Sequence, residues 1–106
     1  SLLKHEARGA VCIARSAAEA NEKMTKGAVL VVGATDREYV SAMKLASAIV
    51  AEEGGLTSHA AIVSLELGIP CVVNAEKALS LLSDDMIVTV DGYRGMIYHG
   101  RVKLTV

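Results

Sequence analysis

Two glycines, two hydroxyl side chains and one histidine fall within a single six-residue stretch, Gly54-Gly55-Leu56-Thr57-Ser58-His59. The apolar run Ala60-Ala61-Ile62-Val63 follows, which puts the histidine in the first turn of an expected helix. Helix N-termini carry unpaired N–H groups and a partial positive charge, so they favour anions, phosphate above all. An imidazole there sets a nucleophilic nitrogen beside an anion site. Its reference pKa of about 6.5 leaves it largely unprotonated near neutral pH. The chemistry that fits is phosphoryl acceptance by His59. Gly54 and Gly55 permit backbone angles closed to other residues and let a bulky substrate come close. Thr57 is the expected N-cap; Thr57 and Ser58 can also orient the ring or donate to phosphate oxygens. Glu52 and Glu53 oppose this chemistry, since two carboxylates repel a polyanion unless a metal or a basic partner intervenes. A solvated loop is the simpler reading for both.

The other chemistry-bearing residues point nowhere specific. His5 lies in a charged leading segment and reads as solvated; His99 precedes Gly100 and reads as a turn residue. Cys12 and Cys71 sit among apolar residues without a C-x-x-C, which suits two buried thiols in a reducing, cytoplasmic compartment. No metal-ligand spacing is present. The net charge is −1, with acids and bases interspersed. Nucleic-acid binding thus has no electrostatic footprint. No apolar run approaches the roughly 18–20 residues of a membrane span, and no signal-peptide pattern opens the chain.

These residues need a scaffold, and 106 residues that are 52% apolar suffice for one domain with one core. With three tyrosines and no Phe or Trp, that core must be built from small aliphatic side chains. Residues 1–8 read as linker-like. Strands are expected at 9–15, 28–32, 46–51 and 71–73, with three more at 86–90, 95–98 and 101–106. Capping boxes at Ser16–Glu19 and Thr35–Glu38 open helices running to about Lys26 and Leu45, the first closed by Gly27. A third helix covers 58–67 and is ended by Gly68 and Pro70; Asn74 caps a fourth over about 76–82. Strand and helix alternate, then strands follow alone. That order argues an α/β fold with a central, mostly parallel sheet, helices and a smaller β layer.

Gly-Gly-Leu-Thr-Ser-His-Ala-Ala-Ile-Val, followed by Glu66-Leu67-Gly68-Ile69-Pro70, resembles the phosphohistidine signature of phosphoenolpyruvate (PEP)-utilising enzymes. That family includes pyruvate phosphate dikinase, phosphoenolpyruvate synthase and enzyme I of the sugar phosphotransferase system. Thr35-Asp36-Arg37 and the turn Val90-Asp91-Gly92…Gly95 also match, so the resemblance spans nearly the whole chain. It implies a mobile, swivelling β/β/α domain over residues 1–106, with His59 as phosphoacceptor and Thr57 as its hydrogen-bond partner. Gly54, Gly55 and Ser58 would hold phosphate. The family pattern carries Arg where this chain has Leu65, and leucine cannot supply the rigid charged fork that binds phosphate.

With leucine there, the stretch is most similar to the extra C-terminal domain of some bacterial pyruvate kinases. The resemblance then implies a regulatory or structural domain of a glycolytic phosphotransferase acting on phosphoenolpyruvate and ADP. Its partners would be the upstream catalytic domains and further copies of the parent enzyme. The isolated chain is expected to be inactive and to hold no cofactor of its own, the Mg²⁺ and K⁺ belonging to the parent. Two alternatives stand beside this: a true phosphocarrier domain of a dikinase, synthase or enzyme I, and a non-catalytic phosphate-binding module.

Overall fold

A computed structural model describes residues 5–106; the first four residues of the expected linker lie outside the described part. Seven strands form one sheet: β1 Glu6–Ile13, β2 Val29–Val32, β3 Ala48–Ala51, β4 Cys71–Val72, β5 Ile87–Asp91, β6 Met96–His99 and β7 Val102–Leu104. Their order is β4-β3-β2-β1-β5-β6-β7. The four strands from β4 to β1 are parallel, and β1, β5, β6 and β7 are antiparallel.

β1 belongs to both halves. Residues 11–13 pair with β2, while residues 6–10 pair with β5. Glu6, Ala7 and Arg8 are therefore strand and not linker. Their charged sequence hides this, because the pairing comes from β5, some eighty residues later. The antiparallel half curls over one face of the parallel half, so that Val88, Val90 and Ile97 share a core with Val29, Val31, Ala48 and Val50. Leu30, Val32, Ile49 and Ala51 point to the other face, where they pack with Ala20, Ala42, Met43 and Ala60 of the first three helices. Alternate residues of a strand face opposite ways, and both faces are covered here. That is why β2 and β3 are apolar at every position.

The helices are α1 Ala17–Lys23, α2 Val40–Met43, α3 His59–Leu67 and α4 Ala78–Leu81. Ser16 Oγ caps α1 by accepting from Glu19 N–H, and the Glu19 carboxylate accepts from Arg15 N–H. α1 stops before Gly27, whose N–H instead bonds Leu45 O in the turn into β2. The second expected helix is broken: Asp36 caps a short 3₁₀ turn, Arg37–Tyr39, before α2. α4 is a single turn. Asn74 does not cap it, since its φ of 59° is left-handed and a cap needs extended backbone. α3 ends as expected at Gly68, which donates back to Leu65 O at 3.1 Å.

A clasp locks α1 to the sheet. Asp84 accepts from Ile13 N–H at 2.7 Å and from Lys23 Nζ at 2.9 Å, and Lys23 also donates to Ile13 O at 2.6 Å. The Ile13 amide and the Lys23 ammonium hold the Asp84 carboxyl below the usual carboxylate range, and the Lys23 pKa is raised by the same bond.

Candidate functional site

β2 and β3 run parallel and end level, with Val32 opposite Ala51. The chain leaving each strand emerges at the same edge of the sheet. Crevices at the carboxyl ends of parallel strands are where ligands bind in α/β folds. Two further bonds carry the pairing past the strand ends: Glu52 N–H to Val32 O at 3.0 Å and Glu53 N–H to Gly33 O at 2.9 Å. The two loops are pinned side by side, and a side chain from one meets a side chain from the other. Thr35 Oγ1 lies 2.8 Å from His59 Nδ1.

That contact occupies one of the two ring nitrogens. With Nδ1 held by Thr35, Nε2 is the ring atom left without a hydrogen-bond partner among the described residues. When Nδ1 carries the proton and donates it to Thr35 Oγ1, Nε2 presents its lone pair. In that tautomer the half-buried imidazole is held by Thr35 with Nε2 as its nucleophilic atom.

His59 is the first residue of α3, and Ser58 is the N-cap. Ser58 Oγ accepts from Ala61 N–H at 3.3 Å and donates to Gly55 O at 2.8 Å. The N–H groups of His59 and Ala60 have no intrahelical acceptor, which leaves the positive end of α3 beside the ring. Gly54, at φ 119°, packs on the cap: a Cβ there would stand 2.9 Å from Ser58 Cβ and Oγ. Gly55 contributes its carbonyl to the same cap.

The structure redistributes the roles expected of the hydroxyl residues. The cap is Ser58 and not Thr57, because the extended backbone a cap requires falls at Ser58, with φ −71° and ψ 159°. The hydroxyl on the ring is Thr35. Thr57 is exposed and makes no side-chain hydrogen bond among the described residues. Thr35 was legible only as a cap and as part of the family match; the available signal was its place after a strand parallel to the one leading to His59. Ser58 Oγ is occupied within the loop. Glu52 is not a solvated loop residue: it is half-buried, and its carboxylate accepts from Leu79 N–H at 2.8 Å, which ties the end of β3 to α4. Glu53 is exposed.

Leu65, on α3, is exposed. Cys12 and Cys71 are free thiols, and burial pushes the pKa of both upward, away from thiolate chemistry. His5 is stacked edge-on against Tyr93, and His99 ends β6. Among the described residues, no group of three or more His, Cys, Asp or Glu side chains could hold a metal ion, and no helix is long and apolar enough to cross a membrane.

A family model described as "PEP-utilising enzyme, mobile domain" matches residues 24–95, which include Thr35, the glycine hinge, His59 and the turn at Asp91. The chain belongs to this family. A phosphoenolpyruvate synthase of Aeropyrum pernix is 56% identical over 97 residues, covering 92% of this chain and 12% of that protein. A pyruvate kinase of Bacillus licheniformis is 48% identical over 101 residues, covering 95% of this chain and 17% of that protein. The mobile domain thus spans less than a fifth of the length of these curated relatives. Its architecture is similar to the solution structure of an enzyme I protein, at a TM-score of 0.63 and 26% identity, over 74% of this chain and 32% of the other. The resemblance drawn from the hinge and its flanks is correct at the level of family and fold.

Proposed function

We propose that this mobile domain is appended to a pyruvate kinase and serves its regulation or assembly rather than its turnover. The observation that supports this reading is Leu65. It stands exposed on the helix that begins with His59, where the family pattern places an arginine. A guanidinium would offer phosphate a permanent charge and a bidentate fork; an isobutyl group offers neither. In this reading His59 keeps the orientation of an acceptor without the cation that balances an arriving phosphoryl group. Gly54, Gly55 and the first turn of α3 remain an anion site, and Thr57 is free to turn toward a bound phosphate. In this reading the Mg²⁺ and K⁺ implied for the parent would belong to its catalytic domains.

The test is functional separation. The chain alone is expected to make no pyruvate from phosphoenolpyruvate and ADP. A parent enzyme lacking this domain is expected to keep its turnover while its effector response or subunit assembly changes. Pyruvate formation by the domain itself overturns the reading.

A second reading, that of a working phosphocarrier from a synthase, dikinase or enzyme I, is favoured by one observation. The Thr35–His59 contact at Nδ1 leaves Nε2 without a hydrogen-bond partner among the described residues, and in the tautomer with its proton on Nδ1 that atom holds the lone pair an acceptor uses. An acid-labile phosphate on His59, supplied by a partner domain, distinguishes it.

A further inference from the structure

Cys71 opens β4, the two-residue strand at one edge of the sheet. Alternate strand residues face opposite ways, so Val72 joins the core shared with β5 and β6 while Cys71 packs on the helix-side core. Beyond β4 no further strand pairs among the described residues, and Cys71 is only half-buried. It lines a groove of about 540 Å³, open to solvent, whose walls include Leu56, Leu65, Ile69, Val73 and Tyr93. The other thiol is placed differently. Cys12 is 7% exposed and borders a smaller hollow shared with Lys23, Asp84 and Asp85.

Ser64 marks the same place. It is fully buried, it lines the same groove, and its Oγ has no hydrogen-bond partner among the described residues. Buried hydroxyls are nearly always paired, so one left over calls for an explanation. Its neighbour is the Cys71 thiol. Burial raises the pKa of that thiol, and the Ser64 hydroxyl acts against the rise by favouring the thiolate. Ser64 is thus a donor without an acceptor until Cys71 ionises. Cys12 has no hydroxyl so placed: Lys23 favours its thiolate, and Asp84, Glu19 and Asp85 oppose it.

We propose that Cys71 is a site of reversible thiol–disulfide exchange with low-molecular-weight disulfides whose arms are uncharged and largely apolar. The Cys71 thiolate attacks one sulfur of the disulfide. The old S–S bond breaks as the new one forms, and the departing thiolate takes up, through solvent, the proton that Cys71 released. The disulfide is itself the oxidant, so electrons balance within the exchange. Ser64 acts as a positioning residue that donates to the thiolate before attack. The arm left on Cys71 lies along Leu65, Ile69 and Tyr93, in a groove within the range of about 300–1,000 Å³ typical of small-molecule sites. A charged arm would lose water against those side chains without gaining a partner. Selectivity therefore rests on access and apolar fit, and exchange quickens as pH rises.

The experiment treats the full parent chain with dithiodipyridine, an uncharged aromatic disulfide, and reads the Cys71 and Cys12 peptides by mass spectrometry. Each rate is normalised to that of the urea-unfolded chain. Cys71 is expected to react several-fold faster than Cys12. Ser64→Ala removes the donor but no hydrogen bond of the resting fold. It is expected to slow Cys71 several-fold at neutral pH and to move its pH profile upward, with the Cys12 rate unchanged. With dithiobis(nitrobenzoate), whose arms are anionic, the advantage of Cys71 is expected to vanish. Equal normalised rates at the two thiols overturn the proposal. So does a Cys71 rate and pH profile indifferent to Ser64→Ala, or an undiminished preference for Cys71 by the anionic disulfide. His59 takes no part in these readouts, so the result stands apart from the regulatory and carrier readings.

Discussion

The hydroxyl that governs His59 can be identified by removing each candidate in turn. Thr35→Val keeps the β-branched shape and deletes only the oxygen 2.8 Å from Nδ1. A neutral hydrogen bond nets about 0.5–1.5 kcal/mol, and about 1 kcal/mol holds the ring roughly fivefold over its alternatives. Both residues are half-buried, so water can reach Nδ1 in the variant, and the stability lost should sit near the low end of that range. The assay is ring-nitrogen NMR of His59. The wild type should show one dominant tautomer, with the proton on Nδ1 and Nε2 free. In Thr35→Val that dominance should fall about fivefold, toward a mixture. Thr57→Val should leave the ring spectrum unchanged. A ring that responds to Thr57→Val and ignores Thr35→Val would refute both the assignment and the loop pairing behind it.

Asp84→Ala should cost about 1–2 kcal/mol in denaturant unfolding at neutral pH, since it removes the acceptor of Ile13 N–H and Lys23 from a clasp that solvent partly screens. Because the folded Asp84 pKa is depressed, this stability is present above the unfolded carboxylate value near 3.9 and is lost as pH falls through the lowered one; wild type and variant should converge in strong acid. The Lys23 share has the opposite sign. It is present below about 10.4 and is lost as pH rises through the raised folded value. Ser58→Ala should cost about 1 kcal/mol through loss of the α3 cap, against less than about 0.5 for Thr57→Ala, measured the same way. Leu65→Arg should raise phosphoryl labelling of His59 by a phosphotransferase partner, with intact mass as the readout; no change would mean that the missing cation is not what limits transfer.

Some of this architecture is readable from residue order and some is not, for physical reasons. Val29–Val32 and Ile49-Val50 announce themselves because strands covered on both faces are continuous apolar runs. The third helix is bounded by local chemistry, a hydroxyl hinge before it and Gly68 and Pro70 after it. The misreadings share one cause, which is that distant partners override local signals. Glu6–Arg8 become strand because β5 pairs with them. Thr35 meets His59 because β2 and β3 end level, a register that no local pattern encodes. Glu52 has a partner in α4, twenty-seven residues away. The histidine, its hinge and the family were thus legible, while the residue that orients the histidine required the fold.

The proposed state of this domain is an oriented histidine without the cation that would balance an arriving phosphoryl group. Intact-mass analysis tests it most directly: the domain is incubated with phosphoenolpyruvate, Mg²⁺ and separately supplied phosphotransferase domains, with His59→Ala as control and a known carrier alongside. The account predicts no phosphoryl gain in the wild type under conditions that label the carrier. A gain of one phosphoryl group, lost in acid and absent from His59→Ala, would contradict it and establish a working phosphocarrier.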